Sequence, residues 1–151
     1  MKGKKEMIST IRVLLVSSAF FMFVLFIFGC GKKNTDEMGI GPIKEEIKLG
    51  PIDKNLSTKG EQIFTTKCSS CHKFDTRLVG PPLKDVTKRR KPEWIMNMML
   101  NPQQMTAENP TAKELFTTYL VQMTFQDISQ DDARAILEYF RSNDSGQTSS
   151  N

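Results

Sequence analysis

The stretch Cys68-Ser69-Ser70-Cys71-His72 gathers two of the chain's three cysteines and its only histidine into five positions. Spaced i, i+3 and i+4, these side chains share one face wherever the backbone turns as a helix, so all three address a single object. A structural zinc site needs a fourth protein ligand and normally a second Cys/His pair, which this chain lacks. A thioredoxin-like dithiol needs a strand before it and a parallel sheet around it, and no alternating strand pattern occurs anywhere along the sequence.

The N-terminus sets the compartment. Lys2, Lys4, Lys5 and Arg12 lead into an apolar run, Val13 to Phe28, that ends at Gly29-Cys30. A charged start, an apolar core and a small residue before the cut make residues 1–29 an export signal. The run is short for a membrane span, and no second apolar run follows. Cleavage is the expectation and an uncleaved N-terminal anchor the alternative; both leave the remaining chain outside the cytoplasm. The tail Ile27-Phe28-Gly29-Cys30 resembles the lipobox of bacterial lipoproteins, whose cysteine is lipidated and becomes the first residue, although Phe28 is bulkier than the usual occupant of its place. Acylation of Cys30 would consume an exposed thiol and hold the protein on a membrane surface rather than through it.

In an exported chain, Cys-x-x-Cys-His is the attachment signature of a single covalent c-type haem (heme c). Both cysteines form thioethers and His72 is an axial ligand of the iron. The cysteines are then all assigned: Cys30 to lipid, Cys68 and Cys71 to haem. With no second histidine, the strong sixth ligand on offer is methionine, and Met38, Met96, Met98, Met99, Met105 and Met123 follow the signal. Met38 lies in a linker. Met96, Met98 and Met99 lie within an expected helix, where a methionine stripe reads as core. Met105 reads as a loop residue and stays a candidate, while Met123, between two expected helices, is the preferred one.

Removing the signal leaves 17 basic and 16 acidic groups, so the basic character of the whole chain, net +4, is largely that of the leader. No concentrated basic footprint for nucleic acid remains. Residues 30–54, rich in Gly, Lys and acidic groups with two Gly-Pro-Ile triplets, read as a lipid-anchored flexible tether, unless Ile47, Leu49 and Ile52 lie along the domain. Helices are expected from a Thr58/Glu61 capping box, from Pro92 to Leu100, from Thr111 with Leu115, Phe116, Tyr119 and Leu120 on one stripe, and after Ser129. A small all-α domain of about four helices over residues 55–142, followed by a disordered tail at 143–151, accounts for the pattern. So short a domain buries little apolar area, which again calls for a cofactor in the core.

From Asn55 to Ser142 the chain resembles a monohaem class I c-type cytochrome. Gly60 and Phe64 resemble that family's glycine and aromatic where the N- and C-terminal helices cross, here near Leu137 and Phe140. Gly80-Pro81-Pro82-Leu83 resembles the loop after the haem motif; by that match the carbonyl of Pro81 orients His72 and Leu83 covers the haem. Met123 occupies the family's distal-ligand place, followed by Thr124 rather than the proline often found there. Trp94 with Arg89 or Arg90 is a donor set for a haem propionate, the alternative being a partly buried indole with solvated basic neighbours. The run Lys84 to Lys91 is a candidate docking patch for an acidic partner, whereas Asp127, Asp131 and Asp132 read as compensation of a helix dipole.

The resemblance implies a one-electron carrier with His72/Met123 ligation, serving redox partners such as membrane quinol-oxidising complexes and terminal oxidases or reductases on the periplasmic or outer face of a bacterial membrane. A relay subunit of a larger oxidase or reductase complex is the alternative. A peroxidase or sensor with a labile sixth ligand is a further one, set back by the lack of a second histidine for acid/base work.

Overall fold

In a computed structural model of the chain, residues 35–146 are described. The expected export signal, Cys30 and residues 147–151 lie outside them. The described chain is helical without strands: α1 (Thr35–Met38), α2 (Lys54–Lys67), α3 (Val86–Arg89), α4 (Pro92–Leu100), α5 (Pro102–Glu108), α6 (Pro110–Tyr119) and α7 (Gln130–Asp144).

The four expected helices are α2, α4, α6 and α7, and their starts show which caps prevail. Asp53, not Thr58, opens α2: its carboxylate accepts from the N–H groups of Asn55 and Leu56 at 2.8 and 3.1 Å. Thr58 is already inside the helix, its hydroxyl donating back to the Lys54 carbonyl. Asn109 caps α6 through Ala112 N–H, ahead of the expected Thr111. Ser129 and Asp132 close a reciprocal capping box on α7. Three further helices are unexpected, the single-turn α1 and α3 and the longer α5. Asn101-Pro102 reads as a stop signal, but proline suits the first turn of a helix, and the chain restarts there at once.

Helices α2 and α7 pack most extensively. A β-carbon at Gly60 would overlap the carbonyl of Ala135, so glycine is what lets the two backbones meet. The crossing falls at Ala135 and Ile136 rather than nearer Leu137. One turn along, Phe64 meets Phe140 edge-on at 5.8 Å between centroids, and Phe74 and Tyr139 complete the aromatic cluster. Asp144 shows why α7 runs past the expected end at Ser142: its carboxylate accepts from the backbone N–H of Asp85 and Thr87 and from the Thr87 hydroxyl, capping α3.

The expected free tether is corrected over residues 35–53, which form a strap bonded along the domain. Glu93 and Asn97 on one face of α4 and Asn101 at its C-cap, each four residues apart, are its anchors. Glu93 accepts from Ile47 N–H at 2.5 Å; Asn97 accepts from Ile43 N–H and donates to the carbonyls of Met38 and Ile43, each at 2.9 Å; Asn101 donates to the Ile40 carbonyl at 3.3 Å. Arg141 holds the Gly50 carbonyl at 2.8 Å, and Lys91 pairs with Glu37 at 2.6 Å. A segment of low sequence hydrophobicity is thus ordered by buried polar side chains that need its backbone as much as it needs them. Asn97→Ala leaves three strap groups without their partner and is expected to cost about 2–3 kcal/mol. It should open the strap to proteolysis before the helices unfold, and co-unfolding of strap and helices would count against independent anchoring.

Candidate haem site

The attachment motif continues the last turn of α2. Cys68 is the helix C-cap, and the N–H groups of Cys71 and His72 both bond to its carbonyl at 3.0 Å. Both thiols are free. His72 then meets the next loop: its Nδ1 lies 3.0 Å from the Pro81 carbonyl, and since a carbonyl only accepts, Nδ1 carries the proton. Nε2 is left with its lone pair, the tautomer an axial ligand requires. Burial pushes the histidine pKa down, against the opposing pull of the Pro81 bond, so the imidazole is neutral around pH 7. Gly80 permits the approach, because a β-carbon there would fall on the edge of the imidazole ring.

These groups open into a cavity of about 420 Å³. Its wall is largely apolar: Phe64, Leu83, Val86, Ile95, Leu115 and Phe140, with Pro81 and Trp94, line it together with Cys68, Cys71 and His72. Three methionines reach the same cavity. Met98 and Met99 do so from α4, and Met123 from the loop between α6 and α7. Met105 is not among the lining residues. It sits on α5, fully buried, and its sulfur accepts from the Ile40 N–H at 2.9 Å, so the loop position expected for it is replaced by a role in seating the strap. Leu120 also leaves its expected stripe. It is the left-handed C-cap of α6 (φ 54°) and is 83% exposed, while Leu115, Phe116 and Tyr119 line the cavity.

Trp94 lines the cavity but is not free to donate to a propionate. Its indole N–H is buried and bonded to Asn109 Oδ1 at 3.1 Å, with Arg90 over its face at 5.3 Å. Arg89 and Arg90 do reach the cavity wall. Around them the basic run is largely neutralised: Lys84 pairs with Asp75, Lys88 with Asp85, and Lys91 with the strap. Asp132, drawn down to about 2 by Lys59 and by its bonds to Ser129, belongs to the capping box. The residues that sequence reasoning missed are the strap anchors; it reads Gly80 only as part of the Gly-Pro-Pro-Leu motif, without its packing role. The anchors have a legible signal, three polar residues at a spacing of four along an otherwise apolar helix and its C-cap; the need for glycine at position 80 has none beyond the motif, because it depends on how closely the His72 ring packs there.

The donor set matches the group its motif implies. Paired free thiols, a neutral imidazole with an open Nε2 and thioethers in one apolar wall suit a covalently attached haem and suit a hard, oxygen-ligated cation poorly. No cluster of acidic, histidine or cysteine side chains among the described residues forms a separate metal site. Fold and site together define a small, all-helical c-type haem protein. The sequence matches the cytochrome c family over residues 57–144, and the chain belongs to that family. It therefore holds a covalent haem c and is a haem-based electron carrier. It is similar to a cytochrome c from Rhodothermus marinus, with 45% identity and a TM-score of 0.71 over 77% of this chain and all of that one. It is also similar to an engineered cytochrome c from the same organism, 44% identical with a TM-score of 0.70 over 76% of this chain and 99% of that one. A further structure of the engineered protein, with a bound carbene intermediate (1-ethoxy-1-oxopropan-2-ylidene), matches at 44% identity and a TM-score of 0.68 over the same shares. No curated protein matches.

Proposed function

We propose that the chain is an exported, lipid-anchored carrier whose iron is held by His72 and Met123, passing single electrons between membrane-associated respiratory proteins. The observation that carries the reading is that both side chains open onto one apolar cavity, Met123 from a loop free of helical constraint. Bound haem supplies reversible exchange between the ferrous and ferric states, and Met/His ligation favours the higher potentials suited to respiratory exchange.

The chain's own residues do the rest. Pro81 fixes the His72 ring, Leu83 and the aliphatic wall exclude water, and the thioether of Met123 would be the second protein ligand of the iron, which would keep substrates off it. The leader and the lipobox-like Ile27-Phe28-Gly29-Cys30 support anchoring through Cys30 on the outer face of a bacterial membrane. Quinol-oxidising complexes and terminal oxidases or reductases are the partners this placement favours.

The ligand assignment is tested by the optical spectrum of the ferric holoprotein. The weak long-wavelength sulfur-to-iron band should be present in wild type, absent in Met123→Ala and retained in Met98→Ala and Met99→Ala. A high-spin wild-type spectrum, or loss of the band in a variant of α4 instead, would sink it.

A further inference from the structure

The loop that bears Met123 has an unusual mode of support. Among the described residues, no backbone-to-backbone hydrogen bond begins or ends within residues 121–128. The segment also holds a residue in the left-handed region, Asp127 at φ 50°, a conformation that costs an L-residue about 1 kcal/mol. Ile128 buries its side chain at the far end. The remaining polar ties are made by side chains. At the near end, Gln122 accepts from the buried Thr106 hydroxyl at 2.9 Å and donates to the Met123 carbonyl at 2.9 Å. At the other end, the Lys67 ammonium donates to the carbonyls of Gln126 and Asp127, each at 2.9 Å.

Lys67 is the last residue of α2, directly before Cys68, and it too lines the cavity. Its ammonium therefore joins the turn that attaches the haem to the loop that delivers the sixth ligand. Two charge-assisted bonds to adjacent carbonyls are what a strand ladder or a helix would otherwise supply to that stretch of backbone.

We propose that Lys67 is the positioning residue of the distal loop: it latches Gln126 and Asp127 to the attachment turn and so holds Met123 on the iron. The proposal rests on Met123 being the sixth ligand. A loop without a backbone ladder opens at much lower cost than the helices, so releasing the latch raises the population of the open form without unfolding the domain. Because the apparent affinity of a competing ligand scales with that population, the effect is read directly by titration.

The experiment is a titration of the ferric holoprotein with imidazole, followed through the sulfur-to-iron band, in wild type, Lys67→Met and Lys67→Arg. Methionine keeps the stem and the helix propensity but removes the donors; arginine keeps the charge and the donors. Lys67→Met is expected to bind imidazole about tenfold more tightly, equivalent to about 1.4 kcal/mol, with an unchanged denaturation midpoint for the helices, and Lys67→Arg should stay near wild type. Wild-type imidazole affinity in Lys67→Met would overturn the proposal. So would a gain in affinity matched by an equal loss of global stability, since that marks a purely structural residue. Absence of the band in wild type, or its survival in Met123→Ala, would remove the ligation reading itself and the latch with it, whereas a normal band with unaltered imidazole binding removes the latch alone.

Discussion

Glu138→Ala is expected to destabilise the domain by about 3–5 kcal/mol, the largest effect of any single truncation considered. Glu138 is on α7 with no exposed surface, and its carboxylate meets Arg134 at 2.5 Å and Arg141 at 2.8 Å. It also accepts from the N–H of Asp53, the residue that caps α2, at 2.9 Å. Arg141 in turn holds the strap at Gly50. Truncation therefore leaves two part-buried guanidinium groups without their counter-charge and the part-buried Asp53 N–H without an acceptor, at the point where α2, α7 and the strap converge. Burial alone would raise the Glu138 pKa. The bonds from Arg134, Asp53 and Arg141 outweigh it and hold the carboxyl below the ordinary glutamate value. A depressed folded-state pKa means that the contribution is present above the unfolded value of 4.5 and is lost as pH falls through the folded one. The acid limb of a stability-versus-pH curve below about pH 4.5 should consequently flatten in Glu138→Gln. An unaltered acid limb in that variant would show that other carboxylates govern acid unfolding.

Gly60→Ala should also destabilise, by about 1–3 kcal/mol, against the direction helix propensity predicts. In an exposed helix interior this change would gain up to about 1 kcal/mol, because glycine loses more backbone freedom on folding than alanine. At Gly60 the added β-carbon points into the Ala135 carbonyl, a backbone atom that cannot rotate away. Relief requires α2 and α7 to separate, which loosens the contact of Phe64 with Phe140 one turn further on. A chemical denaturation midpoint at or above wild type would show that the crossing has slack. Gly60→Val should fall lower still, since branching at the β-carbon adds volume at the same point.

Much of the site was legible in the primary structure. Cys68, Cys71 and His72 lie within five positions, so their convergence is local geometry and survives any error in the fold around them. The same holds for Pro81 and Leu83, only a short loop away from His72. Helix α4 was readable from Pro92 to Leu100 for a related reason, since its start and stop signals lie in the sequence itself. Helix α5 was hidden because Asn-Pro reads equally as the end of one helix and the opening of the next. The strap was hidden because low hydrophobicity resembles disorder when its polar partners are out of view: Glu93, Asn97 and Asn101 lie some fifty residues away along the chain. Trp94 shows the converse case. Its indole N–H is a good propionate donor in isolation, and its commitment to Asn109 is a fact of packing alone.

By itself, then, the sequence determined that Cys68, Cys71 and His72 converge and which cofactor they would hold, because short-range turns need only adjacent residues. The tertiary structure decided which methionines reach the cavity, that Met105 seats the strap, that residues 35–53 are bound rather than free, and that Lys67 holds the Met123 loop. Each of these depends on groups distant in sequence becoming neighbours. Their partners are chosen by the need to pair every buried polar atom once the helices have closed around the core.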